Sequence, residues 1–193
     1  LSRKLQVRVL PGVFVMIDVK LNKNKYKVVG KPHVFFEKLV AEENNMEWVG
    51  KKSIHDVLHP KFPKVAIDVK TLDMSKEFHM GNLTSQDKVK NWLSDEKNSL
   101  LYFFIEYEPI DDNDNVRILS TELKHMEEIH PDCIAIRAQG KGTFQINWPK
   151  KKWMEKMDRD EWFKSVWKPE MLSYLLKEEK KIEERRKYIH DNY

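Results

Sequence analysis

The chain has a single cysteine, Cys133, among its 193 residues. One thiol excludes an internal disulfide framework and any cysteine-based zinc site. No stretch approaches the roughly 18 consecutive apolar residues of a membrane-spanning helix, so no membrane partner is expected. No cleavable signal peptide is visible, and the expected location is the cytoplasm. A strong charge of one sign is also missing. The 35 Lys+Arg stand against 31 Asp+Glu, a formal net charge of +4. That balance does not describe a basic tail, so any affinity for nucleic acid must come from local clusters of Lys and Arg. His55, His59, His79, His125 and His130 offer no coherent ligand spacing, and no zinc site is expected. There is no internal repeat and no low-complexity linker. What is present is a core: 40% of the residues are hydrophobic, with 6 Trp, 6 Tyr and 9 Phe. That composition excludes global disorder, and the length suits one domain spanning 1–193.

The pattern of apolar residues predicts an α+β fold with a mixed central sheet flanked by helices. Residues 13–17 have strand character, residues 22–25 read as a turn, and residues 26–29 return as the second strand of a hairpin. A helix is expected over 33–45, with Phe35, Phe36, Leu39 and Val40 as its buried stripe. Residues 46–64 read as irregular. Residues 65–70 form a short apolar run that becomes charged at its end, the mark of a central strand. A helix is expected around 86–93 and a strand over 100–107. The acidic turn at 111–115 lets 116–119 pair back. Residues 120–129 have an N-cap and helical spacing. Strands are expected at 134–136 and 143–148, and a helix over 160–188 interrupted near Pro169.

The chemistry concentrates in residues 56–71. Asp68-Val69-Lys70 closes an apolar strand, and residues i and i+2 of a strand share a face, so Asp68 and Lys70 project together. Asp56 lies 12 residues before Asp68, a distance that a strand and a turn can fold back. Two adjacent carboxylates repel unless a cation lies between them. Oxygen ligands without His or Cys suit Mg²⁺. A lysine beside that ion can orient an attacking water or help deprotonate it. Taken alone, an Asp and a Lys two apart also describe any solvated strand end. Asp18-Val19-Lys20 repeats the motif, but residues 1–17 hold no acidic residue to act as a second ligand. Pro131-Asp132 with Gln139-Gly140-Lys141 offers a neutral Gln where a second ligand is needed. Both are read as decoys.

This arrangement is the active-site logic of the PD-(D/E)xK nucleases. The sequence resembles more narrowly the type II restriction endonucleases of the EcoRV and HincII kind. Ala66-Ile67-Asp68-Val69-Lys70-Thr71 resembles their catalytic strand. Phe36-Glu37-Lys38-Leu39-Val40 resembles a helix beneath the active site, and residues 78–85 resemble a segment that follows the catalytic strand. Residues 119–148 resemble the path into a DNA-reading loop, and Asp160-Glu161-Trp162 with the charged helix after it also fits. The resemblance implies a restriction-endonuclease-like fold and a Mg²⁺-dependent phosphodiesterase in which Mn²⁺ can substitute. Asp56 and Asp68 would be metal ligands, with the Val69 carbonyl as a third, Lys70 the catalytic lysine, and Glu37 a helix glutamate near the metal. It further implies a homodimer that cuts a short palindrome in double-stranded DNA to 5′-phosphate, blunt ends. Residues 10–45 would contribute the dimer contact. A cognate methyltransferase is implied genetically, not as a binding partner. His55 stands where the motif usually has proline. The chain is also shorter than these enzymes and begins without Met, which leaves room for an N-terminal piece beyond it.

Recognition must lie elsewhere, because a metal and a lysine meet only phosphate. Arg137-Ala138-Gln139-Gly140-Lys141 is the leading candidate. Arg and Lys can donate to guanine O6 and N7, Gln can pair with adenine, and small residues let the backbone approach the bases. A plain glycine hairpin with solvated side chains is the competing reading. Thr71, Ser75, Lys76 and Asn82 follow the catalytic strand and are candidate phosphate or base contacts. Lys150-Lys151-Lys152 is either a phosphate patch or a solvated loop. The mixed charges of 178–187 read as an exposed helix face. Trp153, Trp162, Phe163, Trp167 and Cys133 read as core. Two rival functions remain at this point: a repair or junction-resolving nuclease, and a DNA-binding module without catalysis.

Overall fold

Residues 65–69 and 99–105 are buried on both faces, which only the middle of a covered sheet allows. The computed structural model describes residues 2–10, 13–21, 25–50, 55–77, 80–137 and 143–192. In chain order its strands are β1 (Ser2–Leu10), β2 (Val13–Lys20), β3 (Lys25–Lys27), β4 (Glu47–Trp48), β5 (Val57–Leu58), β6 (Val65–Asp73), β7 (Met80–Ser85), β8 (Ser99–Pro109), β9 (Asn115–His125), β10 (Ile134–Arg137) and β11 (Thr143–Asn147). The helices are α1 (Pro32–Glu43), α2 (Gln86–Leu93), α3 (Arg159–Trp162) and α4 (Lys168–Asn192). The fold is α+β. A six-stranded mixed sheet runs β3-β9-β8-β6-β5-β4, with β6 and β8 parallel and the other neighbours antiparallel. A second sheet runs β10-β11-β7.

The central sheet separates two apolar layers. On one face α1 and the β1–β2 ribbon cover Val65, Ile67, Val69, Leu101 and Phe103. On the other, α2 and the β10-β11-β7 sheet cover Ala66, Leu100, Tyr102 and Phe104. Helix α1 starts on Pro32 at its first position, where a missing N–H costs nothing. Its Phe36 and Val40 are buried, with Phe35 and Leu39 packed beside them. No helix among the described residues is long and apolar enough to cross a membrane.

Several expectations need correction. The strand at 13–20 pairs with β1, not with 26–29, and β3 joins β9 at the edge of the main sheet. Of the expected turn at 22–25, residues 22–24 lie outside the described residues and Lys25 opens β3. Residues 46–64 hold two short strands, β4 and β5, and β7 appears in a stretch read as polar. Residues 120–125 are strand rather than helix, followed by a 3-10 turn at Met126–Glu128. The C-terminal interruption is a π-helical turn at Phe163–Trp167, just before Pro169. Proline has no N–H to give the carbonyl four residues earlier, and the wider turn absorbs that loss.

One side chain locks the C-terminal segment to this core. Arg159 Nε lies 3.1 Å from Glu127 Oε1, and its other nitrogens donate to the carbonyls of Leu93, Asp95 and Asn98. Glu127 is only 2% exposed. Arg159→Ala would strand a buried carboxylate and free three carbonyls. It should lower the unfolding free energy by about 3 kcal/mol, read from urea denaturation. A loss below about 0.5 kcal/mol would show that water replaces the guanidinium.

Candidate active site

The site grows from a strand that stops early. β5 pairs with β6 only at Ile67 and Ala66. Beyond that point β6 has no strand neighbour on this side among the described residues, and Asp56, immediately before β5, stands beside it. Its N–H donates to the Ile67 carbonyl at 3.1 Å, and its Oδ2 accepts the Val69 N–H at 2.9 Å. A carboxylate thus stands where a strand backbone would stand. N–H and C=O of one strand residue point to the same side, so the Val69 carbonyl also faces the open edge.

The period-2 rule holds for the partner residues. Asp68 is 3% exposed, and its Oδ1 lies 2.6 Å from Lys70 Nζ. Its Oδ2 accepts from Thr84 Oγ1 at 2.6 Å. The edge opens into a cleft of about 340 Å³ lined by Glu37, Asp56, Val69, Lys70, Thr71 and Asn82, with His33, Leu72, Gly81 and Ile146 completing the wall. Glu37 is buried, and its Oε2 accepts from the Trp48 indole at 3.1 Å.

The electrostatics follow from this crowding. Burial pushes the Asp56 carboxyl up to about 8, and the neighbouring Asp68 and Glu37 push the same way while Lys70 opposes them. Burial works against the Lys70 charge, yet Asp68, Asp56 and Glu37 outweigh it and hold the ammonium above its ordinary range. His55 is buried 5.5 Å from the Trp92 ring, and burial holds its imidazole below the ordinary value. Among the described residues no three His, Cys, Asp or Glu side chains gather as a ready-made metal set. Asp56 and Asp68 are a pair, which matches how Mg²⁺ is commonly held: one or two carboxylates, completed by water and substrate phosphate.

The structure therefore brings Glu37, Asp56, Val69, Lys70, Thr71 and Asn82 to one cleft, with Asp68 buried just behind Lys70. Ser75 and Lys76 are held apart from it by Asp73. Ser75 Oγ donates to Asp73 Oδ1 at 2.6 Å, and Lys76 Nζ lies 3.2 Å from Oδ2. Asn82 Oδ1 accepts from Gln145 Nε2 across the β7–β11 pair. Ala138, Gln139, Gly140 and Lys141 lie outside the described residues. Arg137 ends β10, in register with Thr143 of β11 in the sheet whose Gly81, Asn82 and Ile146 wall the cleft. The described parts of the two decoys do not line the cleft. Asp18 pairs with Lys20 in the ribbon, and Asp132 is exposed beside His130. Lys151 is a clamp rather than a free phosphate contact, 2.6 Å from Glu106 and 3.1 Å from Glu122.

Two residues escaped the sequence reading. Thr84 supports Asp68 from β7, and Tyr102 stands beside Asp68 in the parallel register of β6 and β8. Burial, then Asp68 and Asp56, hold the Tyr102 phenol well above its ordinary range, with Thr84 pulling the other way. A polar ring inside the apolar run at 100–107 was a usable signal for Tyr102. Thr84 offered none, because its partner is 16 residues away in another sheet.

No family model and no curated protein matches the sequence. Among solved structures, the chain is similar to the NlaIV restriction endonuclease, at a TM-score of 0.47 and 16% identity, over 86% of this chain and 70% of that one.

Proposed function

We propose that the chain is a Mg²⁺-dependent endonuclease that hydrolyses phosphodiesters of double-stranded DNA. The observation that carries this reading is the clustering of Asp56 and Lys70 in one cleft, with Asp68 buried against Lys70 and beside Asp56. Asp56, Asp68 and the Val69 carbonyl would hold the ion, with Mn²⁺ able to replace Mg²⁺. A cation bound there supplies Lewis acidity to a phosphoryl oxygen and lowers the pKa of a bound water. The protein does the rest. The Val69 N–H and Thr84 hydroxyl fix the two carboxylates, which holds them rigid. Three carboxylates keep Lys70 protonated, so its role is to orient water and steady charge developing on the phosphate. Glu37, pinned by Trp48, adds to that field.

The finer reading is a type II restriction enzyme of the EcoRV and HincII kind, acting in the cytoplasm alongside a separately encoded methyltransferase. A homodimer would cut a short palindrome to blunt 5′-phosphate ends, because two-fold protein symmetry mirrors two-fold site symmetry. Thr71 and Asn82, from the cleft wall, and Ser75 and Lys76, from the turn after β6, would contact DNA near the cut. The loop from Arg137 through Ala138, Gln139 and Gly140 to Lys141 would read bases. The complete Asp56, Asp68 and Lys70 set favours an enzyme over a DNA-binding module without catalysis.

The deciding experiment is plasmid cleavage with Mg²⁺ and with excess EDTA, followed by mapping of the ends. Discrete fragments only with Mg²⁺ are expected, whereas robust cutting in EDTA defeats the metal model. A fragment smear, or cutting confined to branched DNA, would favour a repair or junction enzyme. For the loop, Arg137→Ala, Gln139→Ala and Lys141→Ala should each lose about 1–3 kcal/mol of discrimination at particular base pairs. That is roughly ten- to hundredfold, measured on single-base variants of the site. A uniform loss over all sequences would mean that the loop grips only the backbone.

A further inference from the structure

From residue 179 to 192 every residue of α4 is exposed, yet the helix carries a line of large apolar side chains. Leu175, Ile182 and Ile189 recur every seven residues and are 47%, 48% and 59% exposed, with Leu172, Leu176 and Tyr188 open beside them. Seven-residue spacing keeps one stripe facing a partner helix. The start of α4 packs on β10 and the preceding turn, but the stripe continues beyond those contacts. Single exposed apolar residues are ordinary, whereas an aligned set marks an interaction surface.

The charges around the stripe say what covers it. Before Ile182 the sequence reads Glu178-Glu179-Lys180-Lys181, and after it Glu183-Glu184-Arg185-Arg186. Residues three and four away share the face of Ile182. A two-fold axis through Ile182 that makes two such helices antiparallel sets Glu178 against Arg186 and Glu179 against Arg185. It also sets Leu175 against Ile189, Leu176 against Tyr188, and Ile182 against itself. Lys180, Lys181, Glu183 and Glu184, one or two positions from Ile182, and Lys177 and Lys187, five away, lie off that face. Parallel in-register pairing would set each charge against its own kind. Within one helix Lys181 Nζ lies 2.6 Å from Glu178 Oε1, an exposed pair of little strength that leaves both open to a partner.

We propose that α4 is a self-pairing helix: two copies of this chain associate through antiparallel α4 helices about a two-fold axis at Ile182. About four helical turns overlap, which falls below the ~1,200 Å² of ordinary stable interfaces. The dimer is therefore concentration-dependent. This pairing deepens the homodimer reading above but needs no nuclease chemistry, so mass measurements test it separately from cleavage.

Sedimentation of the full chain from 1 to 200 µM should show a shift from 23.2 kDa toward twice that mass. Ile182→Glu should weaken the dimer at least tenfold while leaving circular dichroism unchanged. Reversing Glu178 and Glu179 to Lys should dissociate it. Adding Arg185→Glu and Arg186→Glu to that variant should restore it, because both reversed pairs, 178 with 186 and 179 with 185, are again opposite in sign. Ile182→Cys should oxidise to a linked dimer and Leu175→Cys alone should not. A 23.2 kDa species at all concentrations, an unchanged dimer in Ile182→Glu, no rescue by the fourfold reversal, or equal cross-linking at Leu175→Cys would each overturn the proposal.

Discussion

Asp68→Ala should fold and bind DNA yet cut it at least ~10²–10³-fold more slowly than the parent chain in Mg²⁺, the range seen when a group that stabilises transition-state charge is removed. The side chain bridges three partners. It sits beside Asp56 in the proposed metal site, 2.6 Å from Lys70 Nζ, and accepts from Thr84. Its loss deletes a ligand and loosens the lysine in one step. The fold should survive, because Lys70 still has Asp56 and Glu37 in its field and its side chain is 20% exposed. Stability should fall by about 1–3 kcal/mol for the lost buried Thr84–Asp68 hydrogen bond. Two comparisons give the result its meaning. Thr84→Val keeps both ligands and should cost about 10–100-fold, as for groups that orient a metal ligand. Asp18→Ala removes the same residue type from the duplicate motif, where Asp18 pairs with Lys20 in the β1–β2 ribbon and does not line the cleft, and should cut normally. Single-turnover cleavage of a plasmid measures all three. Near-parental cutting by Asp68→Ala would end the assignment of this cleft as the active site.

The catalytic strand was readable because its signals were local. An apolar run that turns charged at i and i+2 carries the face of Asp68 and Lys70 within itself, and α1, α2 and β8 declare themselves by their own spacing. Asp56 was reachable because only one short strand intervenes. The failures came where the period changed within an element. In β9 the inward residues are Val116 and Ile118, then Thr121, Leu123 and His125. An irregularity opposite Glu106 and Tyr107 inserts Leu119 and shifts the phase by one. The step from 118 to 121 is three residues, which imitates a helix and produced the mistaken helix at 120–129. The β1–β2 pairing was hidden for a different reason. Leu5, Val7 and Val9 alternate as a strand partner of 13–20 would, and the competing partner at 26–29 had equal local merit. Burial of Val7, Ile17 and Val19 against α1 decides between them, and no local pattern encodes that contact.

Divalent-ion affinity should depend steeply on pH, weakening about tenfold for each unit below pH 8 and approaching a thousandfold by pH 5. Burial and the Asp68 charge raise Asp56 to about 8, so below that value the ion must displace a proton before it can bind. Calcium titrated calorimetrically at several pH values measures the slope without turnover, and the proton released per ion can be read from buffers of different ionisation enthalpy. The same shift fixes the sign of the stability change. Asp56 has a folded pKa above its unfolded value of 3.8. Between those values the folded chain binds a proton that the unfolded chain does not, so in EDTA its contribution to stability falls as pH rises from about 4 to about 8. The penalty is fully present above about 8 and absent below about 4. Saturating Mg²⁺ at pH 8 should recover it by binding only the folded form. Asp56→Asn carries no titrating group, so its EDTA melting curve should lack that fall with rising pH, and its affinity for Ca²⁺ should be weak at every pH. An Asp56→Asn protein that keeps the parent's pH slope would place the titrating group elsewhere.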